Sequence, residues 1–329
     1  MNRWGLTIPL LGVPLPAHAE IIRALPDLGY TDVWSAETNG TDAFTPLALA
    51  SAWEPTLRLG TAIVPVYTRG PALIAMSAAS MAAAAPGRFV LGLGASSPVI
   101  VGDWNGIPFE QPFRRTRDVL RTTNALLSGE RVTGDFDTIS VHRFKLDQAP
   151  NPKPLVLVAA LRAQMLRLAG RESDGAILNW LASYDVAQCL AEVHNGARQS
   201  GGDAGDIEVV ARIFVCPTDD VDYARALGRT LISTYLTVPA YAAFHDWLGR
   251  GEQLKPMHEA WAAGDRKGAA AAIPDEVVDD LVLHGSPVAC RDQVQAYVDA
   301  GVKTPVMMLL PTTHGAADLD LLRALGPEA

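Results

Sequence analysis

Apolar positions along this chain fall into short unbroken runs, set apart by longer stretches with helical spacing. Residues 57–97 show the pattern most clearly. LRLGTAIV is an apolar run of strand length, PALIAMSAASMAAAA is Ala-rich and long enough for a helix, and FVLGLG is a second apolar run that stops at Gly94-Ala95-Ser96-Ser97. A run without polar alternation predicts a strand buried on both faces, and two such strands joined by a helix predict a parallel βαβ unit. The small residues after Gly94 let another group approach the backbone closely.

The same alternation extends along the chain. Strands are predicted at 4–8, 30–36, 57–64, 89–94, 155–160, 175–179, 207–216 and 305–310. Helices are predicted at 17–28, 44–53, 72–85, 114–127, 163–170, 185–199, 287–300 and 319–325, with Pro26 liable to end the first of them early. Two stretches interrupt the rhythm. A polar and aromatic loop at 96–112 leads, after a helix, to a short two-stranded excursion at 136–146, and a mostly helical segment at 223–283 is longer than one crossover needs.

Eight strands alternating with helices predict a (β/α)8 TIM barrel, one domain over residues 1–329 with insertions after strands four and seven. An open doubly wound sheet is the rival, but no G-x-G-x-x-G follows strand one. In a barrel, function sits in the loops after the C-terminal ends of the strands. That rule selects the residues after Ile8, Ala36, Ile63, Gly94, Ala159, Asn179, Cys216 and Leu310.

Charge narrows the partners. A net charge of -9 over 329 residues argues against a general nucleic-acid binder, so an anionic ligand must be held by local arginines and helix N-termini. Cys189, Cys216 and Cys290 lack metal-ligand spacing and read as buried thiols of a reducing compartment. His142, His245, His258 and His284 have no partner at metal-ligand spacing, so no metal is expected. The opening WGLTIPLLGVPLPAHA imitates a signal peptide ending in Ala17-His18-Ala19. Pro9, Pro14 and Pro16 interrupt it, and residues 4–8 are needed as strand one. A cytoplasmic protein with no membrane span is the expectation. No G-x-S-x-G elbow is present.

Four segments, GYTDVWSAE, LRLGTAIVPVYTRGPALIAMSAASMA, PGRFVLGLGASS and VAALRAQMLRLAGRESDGAILN, resemble the bacterial-luciferase-like superfamily in order and spacing, and most of all its branch of oxidoreductases dependent on the deazaflavin coenzyme F420. The resemblance implies a cofactor at the C-terminal mouth of the barrel. It leans there on a bulge after strand three with a non-proline cis peptide, by position Ala62-Ile63. It also implies cofactor contacts from Thr38, from Gly94, Ala95, Ser96 and Ser97, from Ala159, Ala160, Leu161 and Arg162, and from Gly175, Ala176 and Ile177. Glu37, at the end of strand two, is the candidate catalytic acid or base. Several relatives carry an acid and an amide in the loop after strand four, where this chain has hydroxyls and then Ile100. Trp104, Phe109, Trp180, Tyr241, Phe244 and Trp247 are candidates for a substrate pocket. The implied activity is hydride transfer between F420 and a small organic substrate, and the resemblance implies a homodimer. An FMN-dependent monooxygenase and a barrel that binds without catalysis are the alternatives.

Overall fold

The computed structural model describes residues 3–313 and 315–327. Its eight parallel barrel strands are β1 (Gly5–Thr7), β2 (Asp32–Ser35), β3 (Arg58–Thr61), β4 (Phe89–Gly94), β5 (Leu155–Ala159), β6 (Gly175–Asn179), β7 (Glu208–Cys216) and β8 (Thr304–Leu309). Each pairs with its neighbour in sequence, and β8 pairs with β1, so the ring is closed. Closure removes every free strand edge.

The strands face two cores. Leu6, Val33, Leu59 and Leu91 belong to the core shared with the surrounding helices. Trp34, Val90, Leu157, Ile177, Val210 and Val306 fill the barrel interior. Gly60 makes room for the largest of these, since a Cβ there would lie 2.3 Å from the Trp34 ring. Below this layer, at the N-terminal ends of the strands, Arg58 bonds the buried Asp32 carboxylate, Glu208 at 3.0 Å and Thr304 at 2.7 Å. The bottom of the barrel is therefore plugged by polar groups, and the mouth lies at the other end.

Local chemistry moved several boundaries. The first helix runs only from His18 to Ala24, and a 3-10 turn follows at Pro26–Leu28. Pro26 has no N–H to continue the ladder. The excursion before β5 is an antiparallel hairpin of Val132–Asp135 and Ser140–Phe144, not 136–146; Phe136 sits in its turn and donates its N–H to the Ile139 carbonyl. Its first strand is polar and half exposed, so hydrophobic patterning does not announce it. The long loop after β4 contains a π-helical turn at Val99–Asp103.

The segment after β7 holds five helices, from Val221–Tyr235 to Asp275–Leu281, and ends in an unpredicted strand, Val282–His284, parallel to the end of β7. These helices share a second core with Trp180, Phe214 and Leu310, at the mouth ends of β6, β7 and β8. A buried ion pair, Arg250 to Asp185 at 2.9 Å, pins them to the turn after β6. Among the described residues no helix is long and apolar enough to cross a membrane, and all three cysteines are buried and free.

His245 lies wholly buried in the helix Pro239–Trp247, and burial pushes its pKa from 6.5 down to about 3. Below pH 6.5 the unfolded chain takes up a proton that the folded chain refuses, so stability falls as the pH drops toward 3. Between pH 6.5 and about pH 5 this group alone removes about 2 kcal/mol. Thermal melts over that range should therefore show a steeper loss for the native chain than for His245→Gln. Parallel curves would contradict the assignment.

Candidate functional site

One wall of the mouth is built by β3, β4 and β5. Register jumps from Gly60 opposite Val90 to Val64 opposite Leu93, so four steps on one strand face three on the other. This is a bulge of one residue. The Thr61 hydroxyl bridges the gap, accepting from the Gly92 N–H at 2.8 Å and donating to the Gly92 carbonyl at 3.0 Å. The Ala62–Ile63 peptide within the bulge is cis. A Cβ on Gly94 would lie 3.0 Å from Ile63 and 3.1 Å from Ala159, so the predicted residues of three strand ends meet here. The wall is apolar and, apart from Ile63, lined by small groups. Ser96 follows with φ 67°, a left-handed conformation that turns the loop away. Ser97 accepts from the Ile100 N–H at 3.3 Å.

The opposite wall comes from β6 and β7. In an eight-stranded ring β7 lies four strands from β3, directly across the mouth. Arg212 is level with Asn179 on β6; two residues further on, at Phe214, β7 pairs instead with Val282. The seam between β6 and β7 thus opens at the mouth. Trp180 fills it, stacked on Phe214 with centroids 4.0 Å apart. Tyr235 packs on Trp180 at 5.2 Å, and Asn179 Nδ2 donates to the Tyr241 hydroxyl at 3.0 Å. Arg212 lies 5.3 Å from the Phe214 ring, and burial lowers its pKa from the usual guanidinium value.

The remaining predicted residues scatter. Glu37 is not a free acid: Arg69 clamps both carboxylate oxygens at 2.7 to 3.2 Å, and Ala43 donates its N–H at 3.2 Å. Its own N–H donates to the Ile63 carbonyl at 3.2 Å, which joins it to the bulge. Thr38 is exposed beyond it. Ala160 is buried, Leu161 is half-buried, and exposed Arg162 caps the helix Ala163–Glu172 with no side-chain partner among the described residues. Gly175 and Ala176 need correcting. They begin β6 at the closed end, where Gly175 is level with Glu208 and a Cβ would meet the Glu208 carbonyl at 2.1 Å. Ile177 fills the interior layer. The residues β6 presents at the mouth are Asn179 and Trp180.

Of the predicted aromatic residues, Trp180 and Tyr241 reach the mouth. Phe244 stacks on Trp247 in the main core, Phe109 packs on Tyr67, and Trp104 is exposed. Arg212 and Phe214 went unnoticed. The available signal was period two along β7: Glu208, Val210, Arg212 and Phe214 share one face, and a charge on an inward face of an apolar strand needs a reason.

Residues 6–304 match the model of the luciferase-like monooxygenase family. The chain is 29% identical, over 98% of both sequences, to a putative coenzyme F420-dependent oxidoreductase of Mycobacterium tuberculosis. Its fold superposes on the F420-dependent tetrahydromethanopterin reductase of Methanopyrus kandleri with a TM-score of 0.80 at 20% identity, covering 99% of this chain and 97% of that one. It also superposes on an FMN-bound Baeyer-Villiger monooxygenase of Pseudomonas putida with a TM-score of 0.66 at 15% identity, covering 99% and 97%.

Proposed function

The chain belongs to the luciferase-like monooxygenase family, and on that premise we propose that it is an oxidoreductase using coenzyme F420 to exchange hydride with a small organic substrate. The observation that carries this reading is the apolar wall formed by the Ala62–Ile63 bulge, Gly94 and Ala159. A planar ring needs such a surface, and side chains any larger would hold it off. The F420-dependent relative and the F420-dependent structural neighbour support the deazaflavin over FMN. When bound, F420 supplies the hydride chemistry at its ring.

This chain's residues supply position and charge. Ala62, Ile63, Gly94 and Ala159 support the ring, with Ala95, Ser96 and Ser97 along its edge. Ala160, Leu161 and Arg162 open the helix Ala163–Glu172, whose N-terminus and unpaired guanidinium suit an anionic tail. The helices after β7 roof the mouth and exclude water.

Gly94→Ala tests the ring position. The added methyl must displace Ile63 or Ala159 or hold the ring off, at a cost of about 1–3 kcal/mol. F420 affinity, read from deazaflavin fluorescence, should fall about ten- to a hundredfold. An unchanged Kd would move the ring away from this wall.

A further inference from the structure

Buried and half-buried arginines of this fold meet carboxylates or, for Arg88 and Arg115, backbone carbonyls. Arg58 meets Asp32 and Glu208, Arg69 meets Glu37, and Arg250 meets Asp185. Arg212 does not. The residue is half-buried; its Nε is sealed from solvent and has no hydrogen-bond partner, and no ion pair reaches the guanidinium among the described residues. The ionisable groups that act on it are the phenols of Tyr235 and Tyr241, not an acid. A charge held this way is costly unless something else completes it.

Two neighbouring groups are incomplete as well. The Asn179 Oδ1 and Trp180 Nε1 atoms are buried without partners. Trp180 holds φ at 54°, an unfavourable conformation for a bulky residue, kept by its stacking between Phe214 and Tyr235. One unsatisfied donor, one unsatisfied acceptor and a cation without a carboxylate thus collect around a flat aromatic surface. Arg212 on β7 lies across the ring of strands from the bulge on β3, while Asn179 and Trp180 lie at the end of β6, next to β5 and its Ala159.

We propose that Arg212, with Asn179 and Tyr241 beside it, forms the substrate-recognition site, and that the substrate is a carboxylate on a small planar apolar body. The carboxylate accepts two parallel N–H bonds from the guanidinium, and the apolar body lies against Trp180, Phe214 and Tyr235. This assignment rests on the proposed function, because it places the substrate between that ring and β7.

Two probe pairs test it: benzoate with benzamide, and cinnamate with cinnamamide, titrated calorimetrically into the protein with and without F420. Each acid should bind about tenfold or more tightly than its amide, as expected for hydrogen bonds to a charged group. Arg212→Met and Arg212→Gln should abolish that preference. Arg212→Met should also raise the Tm, because it removes an unpaired charge, whereas loss of a merely structural arginine would lower it. Equal affinities within both pairs, no binding of any probe, or a preference that survives in both variants would overturn the proposal. If F420 fails to bind but the acid preference remains in the protein alone, the cofactor reading falls and the Arg212 site stands.

Discussion

Arg58→Met should lower the unfolding free energy by about 3–5 kcal/mol, the usual cost of breaking a buried ion pair from one side. Arg58 is the hub of the barrel floor, tying β3 to Asp32 on β2, Glu208 on β7 and Thr304 on β8. Asp32 is fully buried and would keep only Arg3 at 3.2 Å and the Thr31 hydroxyl at 2.6 Å. Glu208 would keep the Thr304 hydroxyl at 2.6 Å. Two carboxylates would then share a poorly solvated space without their cation. Replacing Arg58, Asp32 and Glu208 together by Met, Leu and Leu should recover most of the loss, since a buried polar cluster and an apolar one of similar volume often differ little. Denaturant melts of both variants check this. A single variant within about 1 kcal/mol of the native chain would mean that water already solvates the floor.

Glu37→Gln should reduce turnover by about 10²- to 10⁴-fold if Glu37 relays a proton, the range for general acid–base groups. Glu37 lies two residues beyond β2, and its N–H is bonded to the Ile63 carbonyl in the bulge. Its partners complicate the role. Arg69 engages both oxygens, so proton exchange requires that clamp to loosen. Gln retains an acceptor for Ala43 and removes the charge that holds Arg69. The measurement is the rate of change of oxidised deazaflavin absorbance with a substrate found by screening, together with its pH profile. A large loss with normal F420 affinity makes Glu37 catalytic. Turnover within a few-fold of native confines it to bracing the bulge through Arg69.

The repeating pattern of the barrel was legible because each strand is an apolar run and each helix has its own spacing. The bulge was legible through the family resemblance, which puts a cis peptide at Ala62-Ile63, where the structure has one. Three features were not. The two-stranded excursion is expected at 136–146, but its strand bounds, Val132–Asp135 and Ser140–Phe144, were not legible, because the first strand is polar and half exposed. The strand Val282–His284 is three residues long and follows directly on the acidic helix Asp275–Leu281, so no turn signal separates the two. The clamp between Glu37 and Arg69 joins residues 32 positions apart, and only the fold brings them together. Gly175 and Ala176 follow from the resemblance at the start of strand six and not from the barrel rule, and parallel register with Glu208 and Val209 puts them at the closed end. Arg212 was legible in principle. Its place on the inward face of β7 follows from alternation, but its lack of a carboxylate partner emerges only from the packed barrel.

The central claim is that this barrel holds a deazaflavin against Ala62–Ile63, Gly94 and Ala159. The most direct measurement is parallel equilibrium titration of the purified protein with oxidised F420 and with FMN, followed by fluorescence. Tight binding of F420, weakened by Gly94→Ala, and little or no binding of FMN is the predicted result. Tight binding of FMN alone would contradict it and move the protein to the oxygen-using members of the family, and binding of neither would leave a barrel that recognises ligands without this chemistry.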